Sequence, residues 1–219
     1  WTINNQMTHK LVGTDASGLE LRCLAHYLGD QNYTDEILNG DIHTKNMDLA
    51  GIDNRDQAKT FIYAFLYGAG AEKIGKIVGA GQKQGHTLIN RFLSNLPSLK
   101  RLREQVGSAS RKGVIKGLDG RLIHVRSPHS SLNTLLQGAG AIICKQWLIN
   151  IMSRVYNKRL DVRLVASVHD EYQFEVANKN IGDFCAITKI AMKDTEKQLK
   201  LRCPLDNSYK VGITWAETH

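Results

Sequence analysis

Arg55-Asp-Gln-Ala-Lys59-Thr-Phe-Ile-Tyr63-Ala-Phe-Leu-Tyr67-Gly68 sets two cations and two phenols four residues apart, and this spacing constrains the fold more than any other stretch of the chain. On a helix each step of four advances about 40°, so Arg55, Lys59, Tyr63 and Tyr67 sweep about 120° of surface over roughly 18 Å. Ala58, Phe61, Ile62, Phe65, Leu66 and Ala69 occupy the complementary arc. The stretch therefore predicts a helix that packs by one face and offers cation, cation, ring, ring by the other. Such an order suits a nucleotide laid along the helix, its triphosphate neutralised near the N-terminal end with help from the helix dipole. Taken alone, the row fits an ordinary basic surface helix more readily.

Two carboxylates elsewhere shift that balance. Lys10-Leu-Val-Gly-Thr-Asp15 reads as a short strand ending in an acid, and Ser17-Gly-Leu-Glu20 opens an apolar-periodic helix with capping-box spacing. Arg163–Val168 and Tyr172–Val176 read as strands joined tightly around His169-Asp170-Glu171. A lone Asp at either corner commonly caps or turns the backbone. Two such acids beside a triphosphate-like helix suggest magnesium, which takes one or two carboxylates together with substrate phosphates.

With those residues in view, the chain resembles a known family. Asp15-Ala-Ser-Gly-Leu-Glu20-Leu-Arg, the Arg55–Gly68 helix and Val168-His-Asp-Glu171 resemble, in order, the three signature motifs of family A DNA polymerases. A narrower resemblance, to the replicative polymerases of short-tailed bacteriophages, rests on further stretches. These are Gly40-Asp-Ile-His43-Thr-Lys-Asn46, Lys116-Gly-Leu-Asp-Gly-Arg121, His124-Val-Arg-Ser-Pro-His129 and Leu132-Asn-Thr-Leu-Leu-Gln137. Several motifs in one order are hard to explain by chance.

The resemblance implies an α+β fold, with an antiparallel palm sheet backed by helices and a mainly helical fingers subdomain inserted in it. Residues 1–30 become the first part of the palm, 31–113 the fingers and 114–219 the second part of the palm. The implied reaction is nucleotidyl transfer from deoxynucleoside triphosphates to a primer hydroxyl on primer-template DNA. Two magnesium ions, with manganese as a substitute, are implied at Asp15 and Asp170. Glu171 either supports the metal shell or is a solvated strand residue. His43, Arg55 and Lys59 are implied triphosphate contacts, and Glu20 with Tyr63 closes off the ribose 2′ position. Tyr67 and Gly68 fall beside the templating base, His169 at the primer end, and Asn133 and Gln137 at the minor-groove edge. Arg121 and Arg126 are candidate phosphate contacts. The alternatives are the second half of a capping box for Glu20, a buried aromatic for Tyr67, a turn residue for His169 and ordinary surface arginines for Arg121 and Arg126.

Composition agrees with a polyanion partner without identifying it. Lys and Arg number 29 against 21 acids, for a formal charge of +8. The excess is concentrated: residues 73–126 hold 12 Lys/Arg and two acids, Glu104 and Asp119, so 12 − 2 leaves +10. The 219 residues, 42% hydrophobic, suffice for a substantial core. No long apolar run suggests a membrane span and no signal pattern opens the chain, so the expectation is a cytoplasmic protein, in the host cytoplasm if viral. Cys23, Cys144, Cys185 and Cys203 lack short spacings and are expected as reduced, buried thiols. The chain opens at Trp1 without Met, and the family's thumb and exonuclease have no counterpart in it. We therefore expect a truncated sequence, with any processivity factor engaged through the thumb. A DNA-binding fragment without catalysis and a two-metal nuclease remain the rival readings.

Overall fold

The computed structural model describes residues 8–219, so residues 1–7 of the expected first palm segment lie outside the described part. In chain order the elements begin with β1 (His9–Ala16), α1 (Leu19–Leu28), α2 (Gln31–Asn39), α3 (Ile42–Ala50) and α4 (Arg55–Leu66). There follow α5 (Ala71–Ile77), α6 (Gln82–Asn95), α7 (Pro97–Ser110), β2 (Val114–Lys116) and β3 (Leu122–His124). The chain continues through α8 (Ser131–Asn157), β4 (Val162–Val168), β5 (Glu171–Ala177), α9 (Ile181–Gln198), β6 (Asn207–Gly212) and α10 (Trp215–Thr218). The architecture is α+β. It divides into two compact units: described residues up to Arg22 with Ala139–His219, and Cys23–Gly138. The chain passes between the units within α1 and within α8.

The first unit is built on an antiparallel sheet of order β4-β5-β1-β6. Alternation assigns its faces. Val12 and Thr14 pair with Phe174 and Tyr172 on one face, while Leu11, Gly13 and Asp15 pair with Glu175, Gln173 and Glu171 on the other. The apolar face takes α8 and α9. The Trp147 ring of α8 meets Tyr172 at 5.5 Å, and Phe184 of α9 meets Phe174 at 4.8 Å. Trp147 is fully buried, and its indole N–H donates to the Thr188 carbonyl (3.0 Å), so its polar atom is satisfied inside the core. The opposite face admits α10, whose Thr218 hydroxyl donates to Gln173 Oε1 (2.8 Å). Gly13 makes that approach possible: a methyl group there would overlap the Thr218 carbonyl and the Gln173 amide.

The second unit is mainly helical, with the β2–β3 hairpin turned through Asp119-Gly120 as the sequence suggests. Its α4 buries Ala58, Phe61, Ile62, Phe65 and Leu66 and leaves Arg55 and Lys59 exposed. Phe61 and Phe65 each set an edge against Phe92 of α6, at 5.3 and 5.7 Å. The helix is shorter than its sequence pattern. It ends at Leu66, with Tyr67 at the C-cap and Gly68 left-handed (φ 82°), so Ala69 falls outside it and is half-buried. The start of α1 also differs: its first bond runs from Arg22 N to the Gly18 carbonyl, which puts Gly18 and not Ser17 at the cap.

Helices α5 and α6 cross closely at Gly85, where a methyl group would overlap the backbone carbonyl of Ala71. Gly85→Ala gains about 1 kcal/mol of helix propensity, yet it forces two backbones apart at about 1–3 kcal/mol or more. The clash wins because no rotamer relieves it. The thermal midpoint of Gly85→Ala is expected to fall by several degrees, as a calorimetric or circular-dichroism melt would show.

The four cysteines are free and buried, as expected. No helix among the described residues is long and apolar enough to cross a membrane.

Candidate active site

In the sheet unit, β4 and β5 are joined by two residues, His169 and Asp170. His169 is exposed and left-handed (φ 53°), a region few non-glycine residues occupy, so this corner has a defined shape. The Ala16 N–H donates to the Asp170 carbonyl (3.1 Å), fastening the end of β1 to the turn, and the register sets Asp15 opposite Glu171. Asp15 and Asp170 thus come together at one end of the sheet, both half-buried.

Their electrostatics are those of crowded like charges. Burial, with the charges of Asp170 and Glu171, pushes the Asp15 carboxyl up to about 6. Burial also raises Asp170, with the Glu20 charge adding to it. Beside them on α8, burial and the charges of Asp170, Asp15 and Glu20 push the Cys144 thiol up to about 12. Half-buried Glu20 of α1 therefore belongs to the same acidic corner.

Glu171 differs from its neighbours. Its Oε1 accepts from Gln173 Nε2 (2.5 Å) and Trp215 Nε1 (3.2 Å), and its Oε2 from His219 Nδ1 (2.5 Å). Burial pushes this carboxyl up, but those hydrogen bonds outweigh it and hold Glu171 below the ordinary carboxylate value. It is a buried acid held by hydrogen bonds on both oxygens, not a solvated strand residue.

In the helical unit, His43 of α3 faces Tyr63 of α4 with ring centroids 6.1 Å apart. Burial, then the Arg55 and Lys59 charges, lower the His43 pKa, and its Nδ1 is buried with no hydrogen-bond partner among the described residues. His43, Arg55, Lys59 and Tyr63 are thus brought together along α3 and α4. Arg55 is engaged by Asp41, the N-cap of α3. Tyr67 is about half exposed at the end of α4, with Gly68 beside it. Arg121 pairs within its own turn with Asp119, Nε to Oδ2 2.7 Å, and Arg126 is exposed in the segment after β3. Asn133 and Gln137 lie one turn apart on α8. The Asn133 amide oxygen is buried without a hydrogen-bond partner among the described residues, and Gln137 is exposed.

The family model for DNA polymerase family A matches residues 2–217. The chain belongs to DNA polymerase family A. It is 45% identical to a DNA-directed DNA polymerase of Enterobacteria phage T3 and 46% to that of Escherichia phage T7, over 94% of this chain in each case. It spans about a third of the length of these relatives, 33% of each. In three dimensions it is similar to the POL domain of Pol1 from M. smegmatis, in complex with DNA primer-template and dNTP. The TM-score is 0.86 at 21% identity, covering 96% of this chain and 40% of that one, a likeness of fold.

Family A polymerases are metal-dependent enzymes, and the acidic corner fits a divalent cation. Among the described residues no group of three or more His, Cys, Asp or Glu side chains is arranged to hold a metal ion by itself. What the corner offers is two half-buried carboxylates whose mutual repulsion a cation relieves, with the remaining coordination left to substrate oxygens, the usual magnesium arrangement.

Sequence reasoning missed two groups. Asp41 was legible as a helix cap, since Asp41 and Thr44 have N-cap spacing, but not as the partner of Arg55 fourteen residues on. Gln173, Trp215 and His219 were not singled out as partners of Glu171. Only the four-residue spacing of Trp215 and His219, which puts both on one helical face, hinted at them.

Proposed function

We propose that this chain is the palm and fingers part of a DNA-templated DNA polymerase, the sheet unit serving as palm and the helical unit as fingers. The observation that carries the reading is the convergence of Asp15 and Asp170 at one end of the β1–β5 ladder, with Asp15 pushed up to about 6 by burial and like charge. Such a pair suits metal-assisted phosphoryl chemistry. Asp15 and Asp170 would hold two magnesium ions, for which manganese would substitute. Magnesium, when bound, supplies Lewis acidity that favours deprotonation of the primer hydroxyl and spreads charge on the phosphoryl group.

The other residues bind and orient. Arg55 and Lys59 neutralise the triphosphate and the charge that grows on departing pyrophosphate, and His43 adds a hydrogen bond. Glu171 is a positioning residue in this scheme, because hydrogen bonds from Gln173, Trp215 and His219 hold both its oxygens in place. Tyr67 and Gly68 border the templating base and His169 the primer end. Asn133 and Gln137 read minor-groove acceptors, which nearly all base pairs share, so they test shape and not sequence. Arg121 and Arg126 meet phosphates, Arg121 after leaving Asp119. The proposed partners are primer-template DNA and deoxynucleoside triphosphates, and the proposed compartment is the cytoplasm.

A primer-extension assay with magnesium and four deoxynucleotides tests the reading. Lengthened primer supports it, unchanged primer points to a DNA-binding fragment, and shortened primer to a nuclease.

Glu20 and Tyr63 are assigned to sugar selection. Glu20→Ala is expected to raise the use of ribonucleotides relative to deoxynucleotides by about tenfold or more, the scale of one lost steric or polar discrimination. Unchanged discrimination with a lowered melting temperature would instead make Glu20 structural.

A further inference from the structure

Arg55 is not waiting open in this structure. Its Nε donates to Asp41 Oδ2 at 2.6 Å and its Nη2 to Asp41 Oδ1 at 3.0 Å, a two-pronged pairing of the kind guanidinium makes with phosphate. The same carboxylate caps α3, accepting from His43 N (3.1 Å), Thr44 N (3.4 Å) and Thr44 Oγ1 (2.8 Å). It is therefore an internal anion set where a guanidinium and the amide end of a helix converge. The Arg55 hydrogen bond, with that from Thr44, holds Asp41 well below the usual carboxylate range, so it is charged at any working pH.

We propose that Asp41 is a latch on Arg55: its carboxylate occupies the guanidinium edge in the nucleotide-free protein and is displaced by the triphosphate, so that it lowers nucleotide affinity and sets a threshold for engagement. The inference rests on the reading of Arg55 as a triphosphate contact. Exposure decides that the pair is a latch and not a permanent brace. The Arg55 and Asp41 side chains are 50% and 44% exposed, and exposed ion pairs are weak and readily exchanged. A buried pair would resist opening. A triphosphate brings several negative charges to the same edge, whereas Asp41 brings one. Asp41 keeps its place after release, because the cap of α3 still needs an oxygen there.

Asp41→Asn separates the two roles. Asn caps a helix as well as Asp does, but it presents no charge and only one acceptor to Arg55. Magnesium–dATP is titrated calorimetrically into the wild-type chain, Asp41→Asn, Arg55→Ala and the double variant. Asp41→Asn is expected to tighten binding about two- to fivefold, the scale of one exposed ion pair, and the gain is expected to vanish in the Arg55→Ala background. Independently, the Arg55 Nε–H signal in NMR is expected to shift on nucleotide addition to the wild type and to sit at the released position in Asp41→Asn without nucleotide. Weaker or unchanged binding in Asp41→Asn, or a gain that persists without Arg55, overturns the latch. If Arg55→Ala binds nucleotide as tightly as wild type, the triphosphate role of Arg55 fails first and the latch falls with it.

Discussion

Asp15→Asn and Asp170→Asn are each expected to lower the rate of primer extension by about 10³-fold or more. A bound metal contributes several kcal/mol of transition-state stabilisation, and each 1.4 kcal/mol is about a factor of ten in rate. Neither substitution removes a cation from the chain, so primer-template affinity is expected to stay within about twofold of wild type, a change of at most about 0.4 kcal/mol. The structure adds an expectation that activity alone would not give. Without divalent cation, Asp15 is destabilised by burial and by the charges of Asp170 and Glu171, with its pKa raised to about 6. A carboxyl raised in the folded state binds more protons there than in the unfolded chain. Its destabilising effect is therefore full above about pH 6 and is relieved as the pH falls toward the ordinary 3.8. In chelator at pH 7.5, Asp15→Asn is expected to melt above the wild type, and the gap is expected to narrow toward pH 5. Adding magnesium is expected to raise the wild-type midpoint and to affect the variant less. Wild-type extension by either Asn variant would remove these acids from the active site, and a lower chelator midpoint for Asp15→Asn would refute the crowded-charge account.

How much of this arrangement can be read in advance depends on the range of the interactions. The apolar face of α4 is set by residues three and four apart, so Phe61, Ile62, Phe65 and Leu66 could be assigned to the core from spacing alone. The β4–β5 hairpin is equally local, and its two-residue turn delivers Asp170 where the pattern expects it. Capping chemistry is harder, because a shift of one residue exchanges Ser17 for Gly18 and dissolves the capping box. Apart from Gln173, two residues along β5 from Glu171, the missed contacts are distant in the chain. Trp215 and His219 reach Glu171 across 44 and 48 residues, so no local pattern marks Glu171 as a tied acid. Asp41 and Arg55 are separated by 14 residues and meet only through the packing of α3 on α4.

Arg55→Ala and Lys59→Ala carry the second large effect. Both cations lie on the exposed face of α4, four residues apart, with Arg55 at the first helical position, where the positive end of the helix dipole adds to them. A hydrogen bond to a charged group is worth about 1.5–3 kcal/mol. Each substitution should therefore cost about 10- to 100-fold in kcat/KM for the nucleotide. The division between the constants distinguishes the roles. A contact made equally in ground and transition states raises KM alone, whereas one that strengthens as pyrophosphate departs also lowers kcat. Lys59, a compact charge one turn further along the helix, is expected to lower kcat as well as raise KM. Arg55 is likewise expected to raise KM and lower kcat, and its measured loss should understate the contact, because the wild-type Arg55 must first leave Asp41. The comparison is made by single-turnover incorporation over a range of nucleotide concentrations, with primer-template saturating. Normal nucleotide kinetics in both variants would return the row to an ordinary basic surface helix, and an unchanged KM with weakened DNA binding would move the two cations from the triphosphate to the nucleic-acid backbone.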